Sequence, residues 1–430
     1  MRKHLRYIAV AVAAASMIGL AGCSSNGGGD GGKTTLTMLM ADPQKNLQPA
    51  IDGFEKKYPN IKVNYEYVPF DQYNNLVEQR IGGKDAGVDV FDVDSGTVGT
   101  LANKGYLVDL TSDFAKDVKN KSLPAEYEAN TFQGKLWSVP MWDSMQYLYY
   151  NKDLLAKAGI PEPSQDPSKR LTYQQLSEDA KKAQEAGAKW DLLFDQINRY
   201  YQLQAVIESA GGGSGATGKN LLTADIDNKG WVDAMSWYST LFSDGLAPRG
   251  VATEQLPPLF SSGQAAYIIS GPWQAATNKA DKAAVKYGVA PTPFFEGGKP
   301  AMSTGSWNLG LNPASKNQDA AKKLLQYLSL DEEGNSLTAK VLGISPTNKV
   351  AFDKFVAGLD SLDGTNTAGM SKLTNEELNT IAVNRPNTPG FTQLADVTGR
   401  AFDDIRNGQP VQSTLSSAQK ELQGLWDRLK

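Results

Sequence analysis

The chain has 430 residues, with 43 Lys and Arg against 47 Asp and Glu, one histidine and one cysteine. His4 and Cys23 both stand near the start, so everything beyond Cys23 lacks imidazole and thiol. This excludes Ser-His-Asp and Cys-His catalysis, histidine- or cysteine-ligated metal and disulfides from the body, while the acidic balance argues against nucleic acid as a partner.

The chain opens on Met1-Arg2-Lys3-His4-Leu5-Arg6, a cationic stretch, and stays apolar or small from Tyr7 to Leu20. That run is about 14 residues, inside the range of a secretory signal and short of the ~20 needed to span a bilayer. Its end, Leu20-Ala21-Gly22-Cys23, resembles the lipobox of bacterial lipoproteins, which implies cleavage before Cys23 and diacylation of its thiol. A plain secretory signal with a chance cysteine is the alternative. Two acyl chains anchor stably where one is marginal. The expectation is a signal peptide at 1–22, a lipidated Cys23 heading a linker at 23–33, and a body held at the extracellular face of the cytoplasmic membrane. Residues 24–32 are Ser, Asn, Asp and Gly only, a flexible tether. Without its leader the chain keeps 40 Lys and Arg against 47 Asp and Glu. Its length suits two or three domains of about 150 residues.

Thr34 to Met40 reads as a strand, after which Leu47, Ala50, Ile51 and Phe54 fall on one helical face. Lys56-Lys57-Tyr58-Pro59-Asn60 stops that helix, and Ile61, Val63, Tyr65 and Tyr67 alternate as a second strand. The unit is βαβ, with a right-handed crossover expected. A helix near Gln72 to Ile81 and a strand at 88–93 continue the alternation, which predicts an α/β sheet with ligands at the carboxyl ends of its strands. Two stretches, 134–150 and 287–311, are strand-like on both sides of a proline or glycine break and read as crossings between domains. Helices are expected at 173–186, 231–244, 320–329 and 413–429.

In chain order the sequence carries Phe54-Glu55-Lys56-Lys57-Tyr58-Pro59, Leu101-Ala102-Asn103-Lys104-Gly105-Tyr106-Leu107 and Gly134-Lys135-Leu136-Trp137-Ser138-Val139-Pro140. Tyr149-Tyr150-Asn151-Lys152-Asp153, Phe260-Ser261-Ser262-Gly263-Gln264-Ala265, Ser270-Gly271-Pro272-Trp273 and Gly343-Ile344-Ser345-Pro346-Thr347 follow. Each is weak alone. Their order and spacing together resemble the extracellular solute-binding proteins of ABC importers, in the carbohydrate-binding branch that includes maltodextrin-binding proteins. The resemblance implies a two-lobe periplasmic-binding-protein-like α/β fold, each lobe a mostly parallel sheet flanked by helices, with the ligand in the interlobe cleft. It places lobe one at 34–139 plus 296–338 and lobe two at 140–295 plus 339–430. It also implies reversible capture of an oligosaccharide and delivery to the membrane subunits of a permease, by a monomer without catalysis, cofactor or metal.

A pyranose offers C–H-rich faces and a belt of hydroxyls, so its site calls for aromatic rings flanked by acids, amides or guanidinium groups. The chain has eight Trp and seventeen Tyr to choose from. Trp273, after Ser270-Gly271-Pro272, matches a family position that stacks on sugar; the alternative is a core tryptophan capping the next helix. Trp142 and Asp143 follow Pro140 in the first crossing, with hinge packing the alternative for the ring. Ser306 and Trp307 lie on the second crossing, as cleft wall or lobe-one core. Tyr200 and Tyr201 precede a helix at 202–209, one expected toward the cleft and the other toward the core. Asp42 and Gln44 follow the first strand, and Asp94 and Ser95 the third; acids there serve equally as helix caps. Phe391, after Pro389-Gly390, completes the set by resemblance. Trp137, Trp190, Trp231, Trp237 and Trp426 read as core.

Two other functions fit parts of this pattern. A lipid-anchored glycoside hydrolase needs only two carboxylates, which Asp92 with Asp94 or Asp403 with Asp404 would supply. A binding protein for another solute, a polyamine before a polyol phosphate, would use the same acids and aromatic walls.

Overall fold

The computed structural model describes residues 33–305 and 307–429, so the expectations for the leader, Cys23, the linker and Ser306 lie outside the described residues. Two α/β lobes, each built on its own sheet, face each other across a cleft. Among the described residues no helix is long and apolar enough to cross a membrane.

The first lobe grows from the strand Thr34–Met40, which pairs in parallel with Ile61–Tyr67 on one side and Val90–Asp94 on the other. Side chains alternate across a strand, so Leu36, Met38 and Met40 enter one apolar cluster while Leu39 enters another on the opposite face. The same alternation divides Val90 from Phe91 and Val93. The helix Gln44–Lys57 closes the first face with Leu47, Ala50, Ile51 and Phe54, as its spacing predicts. Each such side chain, fully withdrawn from water, contributes about 1.5–3 kcal/mol. The helix Phe70–Arg80 closes the second face through Tyr73 and Val77. Trp307–Leu311 then adds to Val90–Asp94 antiparallel and carries Val139–Pro140 at the sheet's edge, giving five strands. The edge strand is short because Pro140 has no N–H to extend the ladder.

The second lobe orders its four strands Tyr287–Ala290, Tyr147–Asn151, Ala265–Ser270 and Trp190–Phe194. Only the last pair runs parallel. This sheet therefore departs from the mostly parallel expectation, because Tyr147–Asn151 enters from the other lobe in the reverse sense and pairs antiparallel on both sides. The C-terminal helices Phe391–Arg406 and Val411–Trp426 pack on this lobe, with Phe402 stacked on Trp231 at 6.2 Å and Trp426 fully buried.

The chain crosses between lobes at the two expected stretches and once more. After the helix Glu332–Leu342, Gly343 turns in the left-handed region (φ +69°) and Ser345–Pro346 pairs antiparallel with Trp142–Asp143. Glycine is required at 343 by that φ. Periodicity gives no sign of this third crossing, since the Gly343 to Thr347 run is too short; only the resemblance implies one, near 338–339.

The interlobe cleft

The carboxyl ends of the first lobe's parallel strands and the N-terminal turns of several second-lobe helices converge on one cavity of about 560 Å³. Its lining brings together Asp42, Asp94, Tyr200, Tyr201, Trp273, Trp307 and Phe391 from the expected set.

Trp307 opens its strand with the indole half-buried, meeting Phe70 edge-on at 5.6 Å and Tyr73 at 5.9 Å. Trp273 stands on the opposite wall, second in the helix Pro272–Ala280, where Pro272 presets the first turn. Its indole N–H donates to Asp195 Oδ2 at 2.6 Å, and the Ser270 hydroxyl donates to the same oxygen at 2.8 Å. Burial raises the Asp195 carboxyl above its ordinary range while these two donors pull it back. The ring folds over Gly271, where a β-carbon would lie 2.1 Å from it. Glycine at 271 thus leaves room for Trp273 to lie across the cleft.

Tyr200 and Tyr201 both lie in the first turn of the helix Tyr200–Ser209, which starts two residues before its expected position. Tyr200 packs into the core against Phe391 (5.8 Å, edge-on) and its hydroxyl donates to Ser214 O at 2.7 Å. Tyr201 turns to the cleft floor, its hydroxyl 2.7 Å from Ser144 Oγ and the Arg385 guanidinium 5.1 Å over its ring.

Asp42 is recessed in the wall, and loss of water raises its carboxyl to about 6 against a smaller lowering by the Asn46 amide. Asp94 caps the turn Ser95–Thr97 by accepting from Gly96 N–H at 2.9 Å and also pairs with Arg385 (Nε to Oδ1, 3.4 Å). Cap and cavity roles thus coincide in one side chain. Ser95 accepts from Arg385 Nη2 at 2.6 Å behind the wall.

Like Ser95, three further expected residues are placed away from the cavity lining. Trp142 is fully buried in the first lobe's core with its indole N–H donating to Thr338 at 2.9 Å, so hinge packing is its role. Asp143 is buried among the crossings, bonded to Ser144, Thr304 and Gly305, and does not line the cavity. Gln44 points along the surface of its own helix and donates to Gln48 at 3.1 Å. Proximity to a crossing or a strand end does not determine which way a side chain faces.

Several lining residues carried no sequence signal. Arg199 lies directly before the tyrosine pair, and its guanidinium sits 3.9 Å over the Phe70 ring, joining the lobes at the rim. Arg385 comes from a proline-rich loop and reaches the first lobe. At the mouth, Asn198 Nδ2 donates to both oxygens of Asp403, at 3.1 and 3.0 Å. Of the acids offered for hydrolysis, Asp92 is 1% exposed, its carboxyl raised well above the ordinary range chiefly by burial, and it is absent from the lining.

A family model described as bacterial extracellular solute-binding protein matches residues 39–335. A galactooligosaccharide-binding protein of Bacillus subtilis (strain 168) is 29% identical over 344 residues, 76% of each chain. A maltodextrin-binding protein of the same strain is 29% identical over 334 residues, 75% of this chain and 76% of the relative. Among solved structures, an ABC substrate-binding protein from Listeria monocytogenes in complex with cycloalternan superposes with a TM-score of 0.79 at 24% identity, covering 91% of this chain and 99% of that one.

Proposed function

Since the chain belongs to the family of bacterial extracellular solute-binding proteins, we propose that it captures an oligosaccharide between its lobes and delivers it to an ABC permease without chemical change. The observation that carries this is that Trp273 of the second lobe and Trp307 of the first line one cavity together with carboxylates, amides and guanidinium groups. Rings in that disposition suit the faces of a pyranose, and the polar groups suit its hydroxyl belt. The names of the two Bacillus subtilis relatives, both oligosaccharide-binding, favour the same solute class. Asp42, Asp94, Tyr201 and Phe391 complete the proposed contacts, while Tyr200 supports Phe391 from behind.

Lobe closure would move about 34–142 with 304–344 against the rest. Met302 packs with the second lobe's core and Ile344 with the first, which shifts the expected limits by a few residues. Diacylation of Cys23 would keep this body, as a monomer, beside the permease.

Isothermal titration of the full chain with maltotriose, a galacto-oligosaccharide and spermidine tests the reading. Saturable binding of either saccharide is expected, and binding of spermidine alone would replace the sugar with a polyamine. Metabolic labelling with radioactive palmitate, lost on Cys23→Ser, tests the anchor.

A further inference from the structure

The cleft floor contains a carboxylate that lines no wall yet is bonded to residues that do. Asp143 Oδ1 accepts from Ser144 N–H at 2.7 Å, from Gly305 N–H at 2.8 Å and from the Thr304 hydroxyl at 2.9 Å. Ser144 and Gly305 both line the cavity, and they belong to different crossings. The Ser144 hydroxyl donates to Gly305 O at 2.8 Å, which leaves it to accept from the Tyr201 hydroxyl at 2.7 Å. Asp143 also sits in the short strand paired with Ser345–Pro346, and the Thr347 hydroxyl donates to Pro140 O at 2.8 Å. The first two crossings thus meet at one carboxylate, and the third pairs with the backbone of the same residue.

We propose that Asp143 is the positioning residue that couples ligand contact at Tyr201 to movement of the lobes. The coupling rests on the reading of the cleft as a solute site. A ligand seated on Tyr201 presses on Ser144, and the carboxylate transmits that displacement to Gly305 because it holds both backbone amides. The first and second crossings then turn together, and the antiparallel pair with Ser345–Pro346 brings the third along. Without the carboxylate, two buried N–H groups lose their acceptor. Among the described residues the first two crossings are then joined here only by the Ser144 hydroxyl on Gly305 O and the Thr304 hydroxyl on Ser144 O, a looser link. Hinges of this kind are a few residues at element ends that absorb the backbone rotation of domain closure.

The experiment compares wild type, Asp143→Asn, Asp143→Ala, Ser144→Ala and the double variant Asp143→Ala/Ser144→Ala as full chains. Maltotriose and a galacto-oligosaccharide are titrated calorimetrically, and small-angle X-ray scattering is recorded with and without them. Asp143→Ala is expected to raise Kd about tenfold or more, and the saccharide no longer narrows the distance distribution. Asp143→Asn, which keeps an acceptor oxygen, restores most of both. The double variant binds no worse than Asp143→Ala, because the two residues act in one chain. Multiplied losses in the double variant, or wild-type closure by Asp143→Ala, would overturn the coupling. If wild type binds neither saccharide, the solute reading fails by itself. The hinge is then judged from unliganded scattering, where Asp143→Ala must broaden the distance distribution and an unchanged curve sinks it. Should Asp143→Ala not fold, Thr304→Val carries the same test by removing one donor to the carboxylate.

Discussion

Two pairs of acids, one pair from each lobe, are provided for in opposite ways, although the division is not lobe-wide. Asp191 of the second lobe is buried with neither carboxyl oxygen partnered among the described residues, and Asp89 of the first accepts from Thr37, Ser315 and Asn317. In the second lobe, Glu377 is 1% exposed and holds the guanidinium of Arg170 through both oxygens, at 2.7 and 3.3 Å, together with the Thr292 hydroxyl at 2.9 Å. Asp195 Oδ2 likewise has two donors, Trp273 and Ser270. In the first lobe, Asp92 Oδ1 is buried without a partner among the described residues, and its neighbour Asp42 has no ion pair among them. The first pair fixes local shape, and the second is undersupplied, with Asp42 lining the cavity and Asp92 behind it. A strand-end acid that already has its donors can position a ring but has little left to offer a ligand.

Breaking the better-supplied side should cost most. Arg170→Ala strands Glu377 in an apolar surround and should lower unfolding free energy by about 3–5 kcal/mol, measured by urea denaturation. Titration of the folded variant should still give near-wild-type affinity. On the undersupplied side, Asp42 binds its proton more tightly folded than unfolded, so stability falls as pH rises from the ordinary carboxylate range to about 6. The loss sums to about 2–3 kcal/mol. Asp42→Asn should remove that slope, matching wild type near pH 4 and exceeding it at pH 7 in parallel urea melts. An identical pH profile in both proteins would show that Asp42 is not the group responsible.

Smaller effects sharpen the comparison at the cleft itself. Trp273→Ala should weaken saccharide binding about 30-fold, or about 2 kcal/mol, with stability little changed. Asp195→Asn keeps the indole acceptor but removes its charge, and should cost about 1 kcal/mol of binding through a loosened Trp273. Indole fluorescence would report that loosening as a red shift. Unchanged affinity with unshifted emission in Asp195→Asn would show that Asp195 does not position Trp273.

Much of the first lobe was legible because the edge strand Ile61–Tyr67 and the first helix each turn one face to the core, so a period of 2 appears in Ile61 to Tyr67 and one of 3.6 in Leu47 to Phe54. The cleft tryptophans were legible too, since Trp273 and Trp307 each follow a backbone break at a strand end. Trp142 and Asp143 met the same criterion and turned inward. Sequence position gives the place of a residue along a crossing but not the side from which the partner strand arrives, here Ser345–Pro346. Arg385 and Arg199 were invisible for a related reason: their cleft partners, Asp94 and Phe70, come from the other lobe. Side-chain reach across a cleft has no local pattern.

The guanidinium of Arg199 over Phe70 has a thermodynamic meaning of its own. It ties the lobes using protein atoms alone, so it favours the shut arrangement before any solute arrives. Each increment of such bias raises the fraction of molecules ready to bind and so strengthens apparent affinity by the same factor for every ligand. Rim contacts of this sort tune how much solute is caught, and leave the choice among solutes to the walls.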